Sequence, residues 1–301
     1  MACKLPATVT LIEVGPRDGF QFEKRLIPTD LKLAVIEGLV AAGMHQIQVT
    51  SFVHPAKVPQ MADAEELIRR LPRKKGVVFS GLALNVRGVE RAHAAGLEDI
   101  EISVSASDTH SRRNAGMSQN EALVHGREMI RLAEALGMRV RFSIQCAFGC
   151  VYEGKPSTHA IVGMIREARQ MGRIAMLSLA DTTGMADPCA VMNLLEAVDA
   201  TGADIPVALH LHDTRGMGLA NVCAALRCGV THFDTALGGM GGCPFVPGAA
   251  GNIATEDTAH MLAAMKIVTG CDIRKVSACS QRLARFLEKE LPGKIYRLHR
   301  N

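Results

Sequence analysis

Short runs rich in β-branched and aliphatic residues recur along the chain, each followed by a longer stretch whose apolar positions return with helical period. The β-like runs are VTLIEVG (9–15), QIQVTSF (46–52), GVVFSGLAL (76–84), DIEISVSAS (99–107), MRVRFSIQC (138–146), IAMLSLAD (174–181), IPVALHLHD (205–213) and VTHFDTA (230–236). Between the first two, TDLKLAVIEGLVAAG (29–43) predicts a helix with Thr29 or Asp30 as N-cap and Gly43 closing it. HAAGLED, EALGMRV, RQMGRIA, DATGADI and RCGVTHF repeat that junction, each leading a helix end through glycine into the next strand. Eight such units with no linker between halves predict an α/β fold, a single (β/α)8 TIM barrel over residues 1–269. Residues 270–301 then form a C-terminal helical extension packed on the barrel.

Composition narrows the classes. Hydrophobic residues make up 48% and charged residues 21% of the 301, which suits a folded globular chain and excludes disorder. A net charge of +4 is too small for a nucleic-acid footprint, and RRLPRKK (69–75) reads as a solvated helix end. No apolar window spans a membrane and the first residues carry no export pattern, so a cytoplasmic protein is expected. Nine cysteines without paired spacing fit reduced thiols, and Cys146 with Cys150 is by itself a weak zinc signal.

In a (β/α)8 barrel the reactive groups sit at the C-terminal ends of the strands. There HLHDT (210–214) places His210 and His212 two residues apart, on one face of the seventh strand, where two imidazoles can chelate one ion. Closure sets the eighth strand between the seventh and the first. Asp18 of GPRDG and Asn252 of the glycine-rich loop 237–257 therefore converge on the same side of the mouth. Two imidazoles, a carboxylate and an amide oxygen suit a divalent cation such as Mg2+ or Mn2+ with positions open to substrate oxygens.

VGPRDGFQFEK, TSFVHPAKVPQMAD, HLHDT and GGCPFVPGAAGNIATED together resemble the 3-hydroxy-3-methylglutaryl-CoA lyase family, whose wider superfamily holds the isopropylmalate and citramalate synthases. The resemblance covers about residues 9–265 and implies the same metal set: Asp18, His210, His212 and Asn252. It further implies Arg17 against the thioester carbonyl and Cys243 as an active-site thiol on a loop. An acyl-CoA substrate and retro-Claisen cleavage follow, with Arg17 stabilising the enolate oxygen. A neutral Cys243 thiol, with an ordinary pKa of about 8.5, can protonate the enolate carbon. The acceptor of the alcohol proton stays open between Asp18 and a metal-bound water.

Ser51, Ser178, Asp181 and Lys24 are expected to support the mouth. Arg112, Arg113 and Asn114 follow the fourth strand, where CoA phosphates or plain solvent could meet them. One position departs from the family: the second strand reads IQVTSF, so Gln48 stands where glutamate is usual. Gln48 keeps an acceptor for Arg17 but loses the charge, which suggests either a tolerated change or a shifted substrate such as citramalyl-CoA. A condensing synthase, a two-histidine-one-carboxylate iron oxygenase and a non-catalytic barrel are the rival classes. A homodimer is expected, with neither nucleic-acid nor membrane partners.

Overall fold

The eight β-rich runs close on themselves. In the computed structural model, which describes residues 5–202, 204–242, 246 and 249–299, all eight strands are parallel and paired in chain order. They are β1 (Thr10–Glu13), β2 (Gln46–Ser51), β3 (Val78–Ala83), β4 (Asp99–Ser105), β5 (Arg139–Gln145), β6 (Met176–Ala180), β7 (Val207–His210) and β8 (His232–Thr235). The barrel shuts where β8 pairs with β1, Thr10 beside His232 and Glu13 beside Thr235. A register shift between Gln48 and Thr50 marks a bulge in β2, a device that re-aims side chains at a barrel rim.

The helices are α1 (Thr29–Ala41), α2 (Ala64–Arg70), α3 (Val86–Ala95), α4 (Asp108–Ala115), α5 (Gln119–Ala135), α6 (Thr158–Met171), α7 (Pro188–Asp199), α8 (Gly218–Arg227), α9 (Thr255–Ala264), α10 (Ile273–Leu287) and α11 (Ile295–Leu298). Several starts are legible as side-chain caps, among them Asn85, Ser107, Asp187 and the Ser118–Glu121 capping box. The expected cap of α1 is corrected: Pro28 is the N-cap, and Thr29, already helical, donates its hydroxyl to Asp63 at 2.7 Å. Gly43 lies past that helix at φ +87°, the left-handed conformation glycine adopts without a Cβ penalty. Gly172 differs from the other junctions: its backbone is extended, at φ 161°.

The main core lies between sheet and helices, where Leu11, Ile47, Ile100, Phe142 and Phe233 meet Ile36, Leu39, Ile130 and Leu262, all nearly solvent-free. Each such side chain stabilises the fold by about 1.5–3 kcal/mol. α10 lies against α1 and α9, with Cys279 beside Gly38 and Ser280 bonded to Glu256. The lumen is different. Its buried apolar cluster is Ile12, Val14, Ala208 and Ala236, with Met176 packed against it, and polar or charged groups such as Gln46, Ser80, Glu101 and Arg141 share the lining. Branched apolar residues normally fill that space, so these polar layers need a reason other than packing.

Candidate active site and metal centre

The chain leaves β1 through a tight π-helical turn, Gly15–Gly19, which aims Asp18 at the mouth of the lumen. The turn is seated so closely that a Cβ on Gly15 would lie 2.3 Å from Leu237 Cδ2, and one on Gly19 would lie 2.8 Å from Met240 Cβ. Arg17 and Asp18 are both buried, and Arg17 Nη1 donates to Asp18 Oδ1 at 2.5 Å.

His210 ends β7, and His212 follows in a short backbone pairing with Asn252, bracketed by Asp213 N–H to Gly251 C=O at 2.7 Å and Ile253 N–H to Leu211 C=O. This pairing draws the returning glycine-rich loop against the strand end, so all four expected ligands meet. Ligand atoms of Asp18, His210 and His212 lie within 4.8 Å of one another. Asn252 Nδ2 donates to Asp18 Oδ2 at 2.7 Å and to the Met240 carbonyl, while its Oδ1 is buried and accepts nothing. His210 Nε2 faces His212 Nε2 at 3.1 Å. Two ring nitrogens at that distance, beside a carboxylate and an amide oxygen without a partner, fit a divalent cation held by nitrogen and oxygen.

The electrostatics agree. Burial pulls the His212 imidazole down to about 3, with His210 adding to the effect, so His212 is neutral and its lone pair is available. Burial also acts against a charged His210, but the Asp234 carboxylate, 3.0 Å from Nδ1, holds it above its ordinary value and directs Nε2 toward the site. For Asp18, burial favours the neutral acid, yet Arg17 and both imidazoles hold its carboxyl below the usual range.

Behind the ligands runs a ring of polar side chains. Arg17 Nε donates to Gln48 Oε1, and Gln48 Nε2 donates to Glu101 Oε2 at 2.8 Å. Glu101 lies 3.5 Å from Arg141 Nε; Arg141 reaches Asp234 at 2.6 Å, and Asp234 returns to His210. Asp18, Glu101 and Asp234 face Arg17 and Arg141 in this ring, so carboxylates outnumber guanidiniums beside the ligands.

A cavity of about 790 Å³ opens above this ring. Lys24 and Asn114 line it, as the sequence suggested, and so do Lys57 and His110, which it did not single out. His110 is buried against the Ser105 hydroxyl, and burial brings it down to about 4, leaving a neutral imidazole at the mouth. Three expected mouth residues are corrected, because none lines the cavity. Ser178 sits deeper and accepts from Arg141 at 2.7 Å. Asp181 turns away to accept the Met185 and Ala186 amides, and burial raises it to about 7. Ser51 is buried with no partner for its hydroxyl. Gln48 does not line the cavity either; it meets Arg17 and Glu101, which do. Arg112 pairs with Asp108 and Arg113 stacks on Tyr152 at 4.3 Å, both on α4 above the rim. Cys243 lies outside the described residues, next to Gly242, which lines the cavity. Cys146 and Cys150 are buried free thiols and join no metal-binding cluster among the described residues.

The chain matches the HMGL-like family model over residues 8–283. It is 38% identical to a hydroxymethylglutaryl-CoA lyase of Bacillus subtilis over 96% of both chains. The crystal structure of the Bacillus subtilis HMG-CoA lyase superposes with a TM-score of 0.93 over 98% of both chains. An HMG-CoA lyase of Acinetobacter baumannii, solved with coenzyme A and 3-methylmalate, is 35% identical, with a TM-score of 0.92 over 98% of this chain and 96% of that one.

Proposed function

Because the chain belongs to the HMGL-like family and is a carbon–carbon lyase, we propose that it cleaves 3-hydroxy-3-methylglutaryl-CoA to acetyl-CoA and acetoacetate. The observation that carries the reading is the convergence of Asp18, His210, His212 and Asn252 beside Arg17 at the floor of one large cavity.

Asp18, His210, His212 and Asn252 would hold a divalent cation, which would supply Lewis acidity toward the substrate's tertiary hydroxyl. The mixed donor set favours Mg2+ or Mn2+. Arg17, fixed through Nε and Nη1, presents its guanidinium to the thioester oxygen, where charge grows as the C2–C3 bond breaks and the enolate forms. Asp18, a carboxylate of the cation-binding set, is assigned as acceptor of that hydroxyl's proton, directly or through water. Cys243 is assigned as the donor that returns a proton to the enolate carbon. Lys24, Lys57 and Asn114 offer cationic and hydrogen-bonding contacts along the cavity to the CoA moiety. The same reading carries a homodimer in the cytoplasm, as barrels of this kind often pair, and sedimentation of the purified protein tests the assembly.

Metal-stripped protein incubated with 3-hydroxy-3-methylglutaryl-CoA and, separately, citramalyl-CoA, with and without Mg2+ or Mn2+, is the direct test. Acetyl-CoA and acetoacetate formed only with metal support the proposal. Pyruvate from citramalyl-CoA instead moves the substrate to the shorter acid, a choice the uncharged Gln48 beside Arg17 favours. Release of acetyl-CoA from neither would overturn it.

A further inference from the structure

Arg17 is held at its Nε by a side chain whose two ends have the same shape and opposite chemistry. The Gln48 carboxamide can face Arg17 with its oxygen, which accepts the Nε–H, or with its NH2, which sets donor against donor. Nothing in Gln48 itself chooses between them. Arg17, which can only donate, favours the oxygen, and the other side locks that choice, where Glu101 Oε2 lies 2.8 Å from Nε2. A carboxylate only accepts, so it requires the amide NH2 and thereby turns the amide oxygen toward Arg17.

We propose that Glu101 is a positioning residue for Arg17, acting through the Gln48 amide. The inference rests on reading Arg17 as the group that meets the thioester oxygen. Glu101 is buried in β4, and no packing need explains a carboxylate there. Its register partner across the sheet is Arg141, whose Nε lies 3.5 Å from the same Oε2 and holds the carboxylate in place. Among the described residues it alone lines both the mouth cavity and a second cavity of about 180 Å³ at the opposite end of the lumen. Glu101 therefore carries the negative charge that meets the Gln48 side of the Arg17–Gln48 contact, one amide length from the guanidinium, while Asp18 meets Arg17 directly at Nη1.

Two substitutions test this in the metal-loaded enzyme. Glu101→Gln keeps the size of the side chain but lets either amide orientation form, so Arg17 loses its fixed aim. A misplaced stabiliser of the developing oxyanion costs about ten- to a hundredfold in kcat, with KM nearly unchanged. Mg2+ affinity should match the parent protein, because Arg141 keeps its 2.6 Å contact with Asp234 behind His210. In the double variant Gln48→Glu/Glu101→Gln the carboxylate returns to contact Arg17 directly, and kcat should recover to within about threefold of the parent. The Arg17 Nε–H resonance, assigned by its loss in Arg17→Lys, should be sharp and slowly exchanging in the parent and the double variant, and broadened in Glu101→Gln.

Parental kcat in Glu101→Gln, or a double variant no better than the single one, would overturn the proposal. If the parent cleaves neither acyl-CoA, the functional reading fails, and the Arg17 resonance still decides whether Glu101 sets the guanidinium. If Glu101→Gln does not fold, Gln48→Met severs the same relay at its middle and must broaden that resonance.

Discussion

His210 has two ring nitrogens, and the Asp234 carboxylate at 3.0 Å from Nδ1 determines which of them is free for the metal site. Asp234 is itself held at 2.6 Å by Arg141, so the imidazole is oriented by a charged pair outside the set of four expected ligands. Outer partners of this kind raise ligand basicity and fix the ring. Asp234→Asn should therefore weaken Mg2+ or Mn2+ binding to the stripped protein about 10- to 100-fold, read by titration calorimetry. An unchanged affinity would remove Asp234 from the account. Asp18, His210 and His212 were legible because each stands at or just beyond a strand end, and Asn252 because it closes the glycine-rich loop that follows β8, all on the face where (β/α)8 barrels keep their chemistry. Asp234, Glu101 and Arg141 were not, because they lie within strands and act through register: Asp234 beside His210, Glu101 beside Arg141. The available signal was parity, since each is a charge at the inward-facing position of a run that otherwise alternates with apolar residues.

Among the elements, the π-helical turn Gly15–Gly19 is the most constrained. It must carry Arg17 and Asp18 inward while passing under Leu237 and Met240, and the two glycines make that passage possible. Gly15→Ala would place a methyl within 2.6 Å of Glu13 Oε1 as well as against Leu237. The expected result is a fall of about 2 kcal/mol or more in unfolding free energy, with metal affinity reduced because Asp18 moves. Denaturant titration and calorimetry together check it, and a loss of stability without a loss of metal binding would show that the turn relaxes outward. The strands followed from periodicity, and the glycines Gly43, Gly96, Gly137, Gly202 and Gly229 do close helices in the left-handed region, whereas the one expected N-cap, Thr29 or Asp30, gives way to Pro28. The turn itself did not follow, because GPRDG also reads as an ordinary Pro-Asp-Gly bend, and only the approach of the loop after β8 demands the tighter winding. Ser178 was placed one layer too high for a related reason: a sequence shows which face a strand residue takes but not how deep the mouth begins.

At the scale of the whole molecule, two carboxyls brace the closure of the barrel. Glu13 Oε1 accepts the Gly15 and Leu237 amides and its Oε2 accepts the Thr255 hydroxyl, while Glu256 ties the Gly238 amide to Ser280 of α10. Burial raises Glu13 to about 8 and Glu256 to about 7. The folded protein thus holds both protons more tightly than the unfolded chain does. That contribution to stability is complete below about pH 4.5 and is lost as pH rises through 7 to 8. Glu256→Gln should abolish its share, and at pH 8 the variant should exceed the parent by on the order of 2–3 kcal/mol, measured by urea unfolding across pH. Equal slopes for the two proteins would show that Glu256 ionises freely. Saturating Mg2+ should raise the thermal midpoint as well, by about 2.7 kcal/mol of stabilisation at a hundred times Kd. The backbone pairing of His212 with Asn252 has a further consequence. The glycine-rich segment departs at Gly242 and returns at Gly251, where a Cβ would already touch the departing chain at 2.6 Å. Its two feet are pinned together beside the ligands, so the stretch between them is a cassette: lengthening it costs only a logarithmic closure entropy and leaves the ion's cage alone. Exchanging residues 244–250 for those of a relative, with Cys243 kept, should retune acyl preference while metal affinity stays constant, which makes the segment a place where specificity can drift without the ligands being rebuilt.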